Sequence, residues 1–394
     1  QLGKCYMFKK IFNFKEYDFR HYNMSILLTA FLLSFIGLTV IEVVQEPADR
    51  LYEKQILGLV VGTMAALFVS LADYHYVCKF YVLFYFINMG LLLYTKFAGK
   101  SYHQAQRWII IGGDGGITLM PSELTKVLLI LFIAAMFTRF HKKIDKFYFL
   151  VIMCVLVAVP LYFILEQPDL STTIALLVMF AGMVFLSGIT YKIIIPVLVV
   201  AVPACFGLWW YIQQDFQVLL HPYQQNRILA LKNPELYPDL MYQQNNAAIA
   251  IHSGGLTGKM MTDSTGATWK CKGLAAIESD FIYTAFAEAY GFIGCCVVIG
   301  LLSYFIFRTF QTARHSRDFL GMMIAGGIGT LIGSQTFIHI CVNTSLFPNT
   351  GIPLPYASSG LSSLLGNYLM VGLLLNIGLQ SKKKEKVDKN VVSL

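Results

Sequence analysis

Charge is scarce in this chain. Only 13% of its 394 residues are Asp, Glu, Lys or Arg, where soluble domains carry about 25%, and 56% are hydrophobic, with a mean hydropathy of +0.61. A soluble fold of this make-up lacks polar surface, so that class is excluded. Cysteine is present without a pattern: Cys5, Cys78, Cys154, Cys205, Cys271, Cys295, Cys296 and Cys341 fall mostly in apolar segments, and neither a disulfide framework nor a metal-ligand spacing emerges. No phosphate loop is found either, because Gly254 to Gly258 is one residue too close for GxxxxGK and no strand precedes it. No periodic repeat is visible. The first apolar run follows a basic stretch without a small-residue cleavage pattern, so it is expected to stay as a helix.

What the chain has is apolar segments. Ten are near the length needed to cross hydrocarbon, about 17 to 25 residues: approximately 24–44, 56–72, 76–94, 120–140, 147–165, 170–188, 193–212, 281–307, 319–342 and 361–379. An even number puts both termini on one side. Of the 30 basic residues, 19 lie in the termini and the even-numbered loops, which predicts cytoplasmic termini and an outward long loop. The expected fold is an all-α polytopic membrane protein with ten transmembrane helices in one domain (1–380). An extracytoplasmic loop at 213–279 joins helices seven and eight, and a disordered basic tail follows at 381–394. The net charge of +8 then reads as topology and attraction to anionic lipids, not nucleic-acid binding.

Ionisable groups inside a membrane are costly, so each asks for a partner or a role. Arg107 beside Trp108 precedes a Gly-rich turn and Pro121-Ser122-Glu123-Leu124-Thr125-Lys126. Proline suits the first turn of a helix, and Glu123 three residues before Lys126 shares its face, predicting an intramembrane ion pair. That pair either fixes packing or holds a cation toward an anionic substrate group. Arg107 is either a snorkelling anchor or a further cation. In Gln167-Pro168-Asp169-Leu170, Asp169 is placed to cap the sixth helix and to border a site.

The long loop carries His221-Pro222-Tyr223-Gln224-Gln225-Asn226-Arg227, then turn signals, then a short helix expected at 245–253. Its tyrosines, glutamines and Ala/Ile alternation argue for order. Between the last two spans, Pro353-Leu354-Pro355 and the serines from Ser358 to Ser363 cannot cross lipid as exposed backbone. They must bend back into protein or line a wet cavity, unless the small residues serve only helix packing. Asp280 stands where the long loop meets Phe281-Ile282-Tyr283. A carboxylate at that border either starts a helix or acts as a base.

Taken in order, these blocks resemble the SEDS family, which includes RodA, FtsW and SpoVE. The matching residues are Pro121-Ser122-Glu123 with Lys126, Gln167-Pro168-Asp169-Leu170, Ala250 to Leu256 with Gly258-Lys259, Ser279-Asp280-Phe281-Ile282 with Glu288 and Gly291 to Gly294, and Gly351-Ile352-Pro353-Leu354-Pro355. The resemblance runs from the first span to the tenth. Departures from the family pattern fall at His252, at Leu274 to Glu278 and at Ser358 to Ser363.

The resemblance implies a peptidoglycan glycosyltransferase of the bacterial cytoplasmic membrane that polymerises lipid II on the outer face, with a class B penicillin-binding protein as partner. It makes Asp280 the general base. It implies substrate-binding roles for Arg107, Glu123, Lys126, Asp169, Arg227, Ser253, Lys259, Pro353, Ser358 and Ser362. A divalent cation, Mg2+ or Mn2+, is an expected addition, with no organic cofactor. A lipid II flippase and a non-catalytic scaffold are the rival classes. The unusual blocks cluster outward, which favours the enzyme over a transporter that would need polar groups on both faces.

Overall fold

Backbone N–H and C=O groups in hydrocarbon must bond within their own segment, so apolar runs of this length become helices. A computed structural model describes residues 17, 22–45, 50–102, 105–111, 117–167, 169–214, 216–220 and 222–381. His221, Pro168 and the expected basic tail beyond Ser381 lie outside the described residues, as do the lysines of the first sixteen positions.

In chain order the helices are α1 (Met24–Val44), α2 (Leu51–Leu71), α3 (Tyr74–Phe97), α4 (Pro121–Arg139), α5 (Phe147–Glu166), α6 (Leu170–Leu186), α7 (Tyr191–Ile212), α8 (Pro222–Lys232), α9 (Pro238–Ser253), α10 (Ile282–Arg314), α11 (Phe319–Asn343) and α12 (Leu361–Leu379). Among the described residues nine of these are long and apolar enough to cross a membrane. The sixth expected span, α6, is apolar but has 17 residues, at the short end of the crossing range of about 17 to 25. The chain is a multi-pass membrane protein, and α8 and α9 belong to its long loop.

Helices α4, α11 and α12 are the most buried spans, whereas α7 buries no residue. A stripe of small residues on α2 explains how α12 reaches the centre. A Cβ on Gly62 would lie 3.1 Å from the Tyr368 ring, and one on Gly58 would lie 3.2 Å from Leu364. Small residues at four-residue spacing let two helix backbones approach where lipid supplies no hydrophobic drive.

Sequence reading missed a three-stranded antiparallel sheet between α3 and α4, ordered β1 (Lys100–Tyr102), β2 (Ala105–Ile111), β3 (Ile117–Leu119). Ile109 pairs with Leu119 and Ile111 with Ile117. Strand β2 packs on α3 and α4, and β3 packs on α12, which anchors Arg107 of β2 to these helices.

The eighth expected span is one apolar run in sequence and two helical pieces in space. Gly291 breaks α10 with φ 66° and ψ −163°, a conformation open to glycine alone at low cost. The Gly-rich end of the long loop fills the break. Lys259 N–H donates to Glu288 O and Met260 N–H to Ala289 O, both at 2.9 Å, while Phe292 N–H donates to Gly255 O at 2.9 Å and Ile293 N–H to Leu256 O at 3.1 Å. The backbone groups freed by the kink are thus satisfied by protein, the condition for non-helical chain at membrane depth.

The long loop is ordered. Helix α9, longer than the short helix expected at 245–253, packs on α10 and α11, and Gln244 Nε2 donates to Val342 O at 3.1 Å and Phe347 O at 2.7 Å. Between α11 and α12 the chain bends back into protein, burying Ile352, Leu354, Tyr356 and Ala357. That is one of the two outcomes the prolines required.

Candidate active site

Asp280 lies in the turn that feeds α10, partly exposed, with its N–H donated to Ala276 O at 2.9 Å. Its carboxylate Oδ1 accepts from Ser279 Oγ at 3.1 Å. The other oxygen, Oδ2, lies against Gly351, where a Cβ would stand 3.0 Å away. Asp280 does not cap α10. The cap position is Phe281, which offers no side-chain bond, and the amide of Thr284 donates instead to Asn343 Oδ1 at 3.1 Å. The helix-start role read from sequence is therefore filled from α11, and the Asp280 carboxylate is left available.

Burial pushes the Asp280 carboxyl above the usual carboxylate range. The Ser279 hydrogen bond and the charges of Arg107 and Arg227 pull it back, and Asp169 adds to the rise. Three residues expected from sequence thus act on Asp280 from three separate elements. Arg107, on β2, is steered by Nε donating to Gln167 O at 2.8 Å. Arg227, on α8, is steered by Nη1 donating to Asn349 O at 2.6 Å. Asp169 caps α6 by accepting from Thr172 N–H at 3.2 Å through Oδ1, while its buried Oδ2 has no hydrogen-bond partner among the described residues.

The expected ion pair exists: Lys126 Nζ stands 2.7 Å from Glu123 Oε2, with side chains 1% and 3% exposed. Ser362 joins α12 to the sheet, its Oγ donating to Thr118 O at 3.1 Å and accepting from Met120 N–H at 3.0 Å. Ser358 Oγ donates to Ser279 O and accepts from Leu354 N–H, both at 2.7 Å. Pro353 lies half-buried two residues after Gly351.

Ser253 and Lys259 belong to a second cluster, at the break in α10. Glu288 Oε1 lies 2.6 Å from Lys259 Nζ and accepts from Ser253 Oγ at 2.8 Å and Lys270 N–H at 2.7 Å, while Oε2 accepts from Cys271 N–H at 2.8 Å. Asn343 is the residue that sequence reading missed. Its only signal was an amide inside an apolar span.

No three His, Cys, Asp or Glu side chains among the described residues converge to hold a metal. The arrangement around Asp280 is one buried-edge carboxylate, a second carboxylate with an unpartnered oxygen, and two guanidinium groups. It suits proton removal next to an anionic leaving group.

The FtsW/RodA/SpoVE family of cell cycle proteins matches residues 22–383. A protein of Nitrosomonas europaea named "Probable peptidoglycan glycosyltransferase FtsW" is 32% identical, covering 77% of this chain and 76% of its own. One of the same name from Trichlorobacter lovleyi is 30% identical over 94% of this chain and 95% of its own. Two solved structures share the fold. A chain from work described as "Structural coordination of polymerization and crosslinking by a peptidoglycan synthase complex" has a TM-score of 0.74 at 21% identity, covering 91% of this chain and 97% of that one. The Thermus thermophilus rod shape determining protein RodA has a TM-score of 0.64 at 19% identity, covering 92% of this chain and 98% of its own.

Proposed function

This chain belongs to the FtsW/RodA/SpoVE family, and from that premise we propose that it is a peptidoglycan glycosyltransferase which polymerises lipid II into glycan strands, with Asp280 as general base. The single observation that carries the reading is the Asp280 carboxylate, partly exposed in the turn that feeds α10 and not spent on capping that helix. The relatives named glycosyltransferase support the reaction class.

In the reaction, Asp280 takes the proton of the acceptor's sugar hydroxyl as its oxygen bonds to the donor's anomeric carbon. The bond from that carbon to the lipid diphosphate breaks, and its electron pair leaves with the diphosphate. Arg107 and Arg227 offset the growing negative charge, the task to which guanidinium forks are suited. A raised Asp280 pKa suits a base that must hold a proton part of the time. Asp169, with its unpartnered Oδ2, accepts from a substrate hydroxyl, and it is the residue that would hold a divalent cation. Such a cation would neutralise phosphate charge. Glu123 and Lys126, a buried ion pair near the start of α4, would hold a further cation toward the diphosphate.

The bias of basic residues supports cytoplasmic termini, so that the site faces outward. The neighbour solved within a peptidoglycan synthase complex supports a partner synthase. A class B penicillin-binding protein, which crosslinks the strands, is the partner we expect.

The test supplies purified protein, alone and with a class B transpeptidase, with lipid II and looks for glycan strands on gels. Strand formation that Asp280→Asn abolishes in a folded protein supports the reading. Wild-type polymerisation by that variant removes Asp280 from the chemistry. Vesicle translocation of lipid II without polymerisation would promote the flippase.

A further inference from the structure

We propose that Asn343 and Ser358 are positioning residues that hold the peptide of Asp280 from two sides and so aim its carboxylate; this rests on the reading of Asp280 as base. Three successive carbonyls running into the acid are each taken by a donor from outside the segment. Glu278 O accepts from Ser359 N–H at 2.8 Å, Ser279 O from Ser358 Oγ at 2.7 Å, and Asp280 O from Asn343 Nδ2 at 3.0 Å. A turn ahead of a helix is ordinarily the soft part of a site. Here each carbonyl from 278 to 280 has a protein donor.

Asn343 is fully buried and uses all of its hydrogen-bonding capacity. Besides Asp280 O, its Nδ2 donates to His339 O at 3.0 Å, and its Oδ1 accepts from Thr284 N–H at 3.1 Å and Thr284 Oγ1 at 2.8 Å. One side chain from α11 therefore grips the carbonyl just before α10 and an amide in its first turn, one of the donors a helix start leaves orphaned. The acid and the helix that carries it are fixed to the same atom group.

Ser358 is committed in both directions. Its only proton goes to Ser279 O and its oxygen accepts from Leu354 N–H, so hydrogen-bonding a substrate as donor would release the clamp. Behind it, Gln55 of α2 donates through Nε2 to Ser358 O at 3.0 Å and accepts from Gly360 N–H at 3.1 Å. The grip on Asp280 thus reaches two scaffold helices, α11 and α2. Sequence reading gave Ser358 to the substrate, and its bonds assign it to the base.

Positioning matters because a misplacement of about 1 Å can cost about 10²-fold in rate. The experiment compares wild type, Asn343→Ala, Ser358→Ala, Ser358→Thr and Asp280→Asn, each full-length with its transpeptidase partner, in lipid II polymerisation across pH. Both alanine variants are expected to lower kcat about 10- to 100-fold at an unchanged KM for lipid II. They also shift the acid limb of the profile to lower pH, because a released Asp280 gains water. Arg107 of β2, Arg227 of α8 and Asp169 ahead of α6, the charges facing Asp280, remain in all of them.

Ser358→Thr keeps the hydroxyl and is expected to stay near wild type. Neither alanine change should add to the loss in an Asp280→Asn background, as groups acting through one residue are not additive. Thermal unfolding runs alongside, and Ser358→Ala keeps the test open if Asn343→Ala fails to fold. Should Asp280→Asn be inactive while both alanine variants keep kcat and the acid limb, the clamp is wrong and the base stands. Should Asp280→Asn polymerise like wild type, base and clamp fall together.

Discussion

Lys259 and Glu288 meet at 2.6 Å where the long loop fills the break in α10. Glu288 is fully buried and Lys259 is 22% exposed, so the pair holds the loop against the helix with one end in water. Truncating the lysine leaves a buried carboxylate with amide and hydroxyl donors but no counter-charge. Breaking a buried pair from one side costs about 3–5 kcal/mol. For Lys259→Ala the lower end, about 3 kcal/mol, is expected because of the exposed end. A lower Tm with an unchanged KM for lipid II in the folded fraction is the predicted result. A raised KM at unchanged Tm would return Lys259 to the substrate.

Glu123 and Lys126 call for the complementary experiment, since both are buried. Lys126→Met alone should cost about 3–5 kcal/mol, and Glu123→Gln with Lys126→Met should recover most of it, because no unpaired charge remains. Thermal melts in detergent measure the recovery. If the double variant refolds to wild-type stability yet polymerises normally, the pair serves packing alone.

Arg107 and Arg227 both lower the Asp280 pKa, which predicts a paired effect. Removing either one weakens the stabilisation of the departing diphosphate and leaves Asp280 with less to offset its burial. Arg227→Ala should therefore lower kcat/KM about 10²-fold and move the acid limb of the rate profile to higher pH. That direction is opposite to the one expected from loosening the Asp280 peptide. A loss of rate with an unmoved limb would mean that Arg227 acts on substrate only.

Much of this was legible in the sequence, for reasons that vary by residue. Span ends were readable because hydrocarbon punishes unsatisfied backbone: α1 and α12 begin and end where the apolar runs do. The Glu123–Lys126 pair and the Asp169 cap were readable because both depend on spacing within one helix. The break at Gly291 was not, since an apolar run looks the same straight or bent, and the partners of its freed backbone lie 29 to 37 residues earlier. The sheet at Lys100–Leu119 was hidden because β1 and β3 have three residues each, too short for an alternation to register, and the seven-residue β2 ends in three consecutive isoleucines that do not alternate. Asn343 escaped because its role depends on where α11 lies beside α10, and spacing within a segment carries no such information.

Gly351 offers a way to disturb Asp280 without touching it. Its φ is +68°, and a Cβ would stand 3.0 Å from Asp280 Oδ2, so Gly351→Ala adds backbone strain and presses on the carboxylate. A backbone penalty of about 1 kcal/mol or more is expected in the melt. The larger effect should be a fall in kcat of about 10-fold or more from displacement of the base. Equal losses in kcat and in folded fraction would reduce Gly351 to a turn residue.

Asp280 itself should make the protein less stable than it need be at neutral pH. Burial raises its pKa in the folded state, so the folded protein holds the proton more tightly than the unfolded chain does. Stability from the protonated form is complete below the ordinary carboxylate pKa and is lost as pH rises through the raised one. At pH 7 the ionised carboxylate is a net cost, even after the help of Arg107 and Arg227. Asp280→Asn, neutral and nearly isosteric, should then raise Tm at pH 7 while ending polymerisation. The gain should fade as pH falls below about 4, where the wild-type acid becomes protonated in both states. Melts of the two proteins in one detergent from acid to neutral pH give the comparison. Equal Tm values at pH 7 would mean that the guanidinium groups fully compensate the burial, and a lower Tm for the variant would mean that the ionised acid is a structural partner.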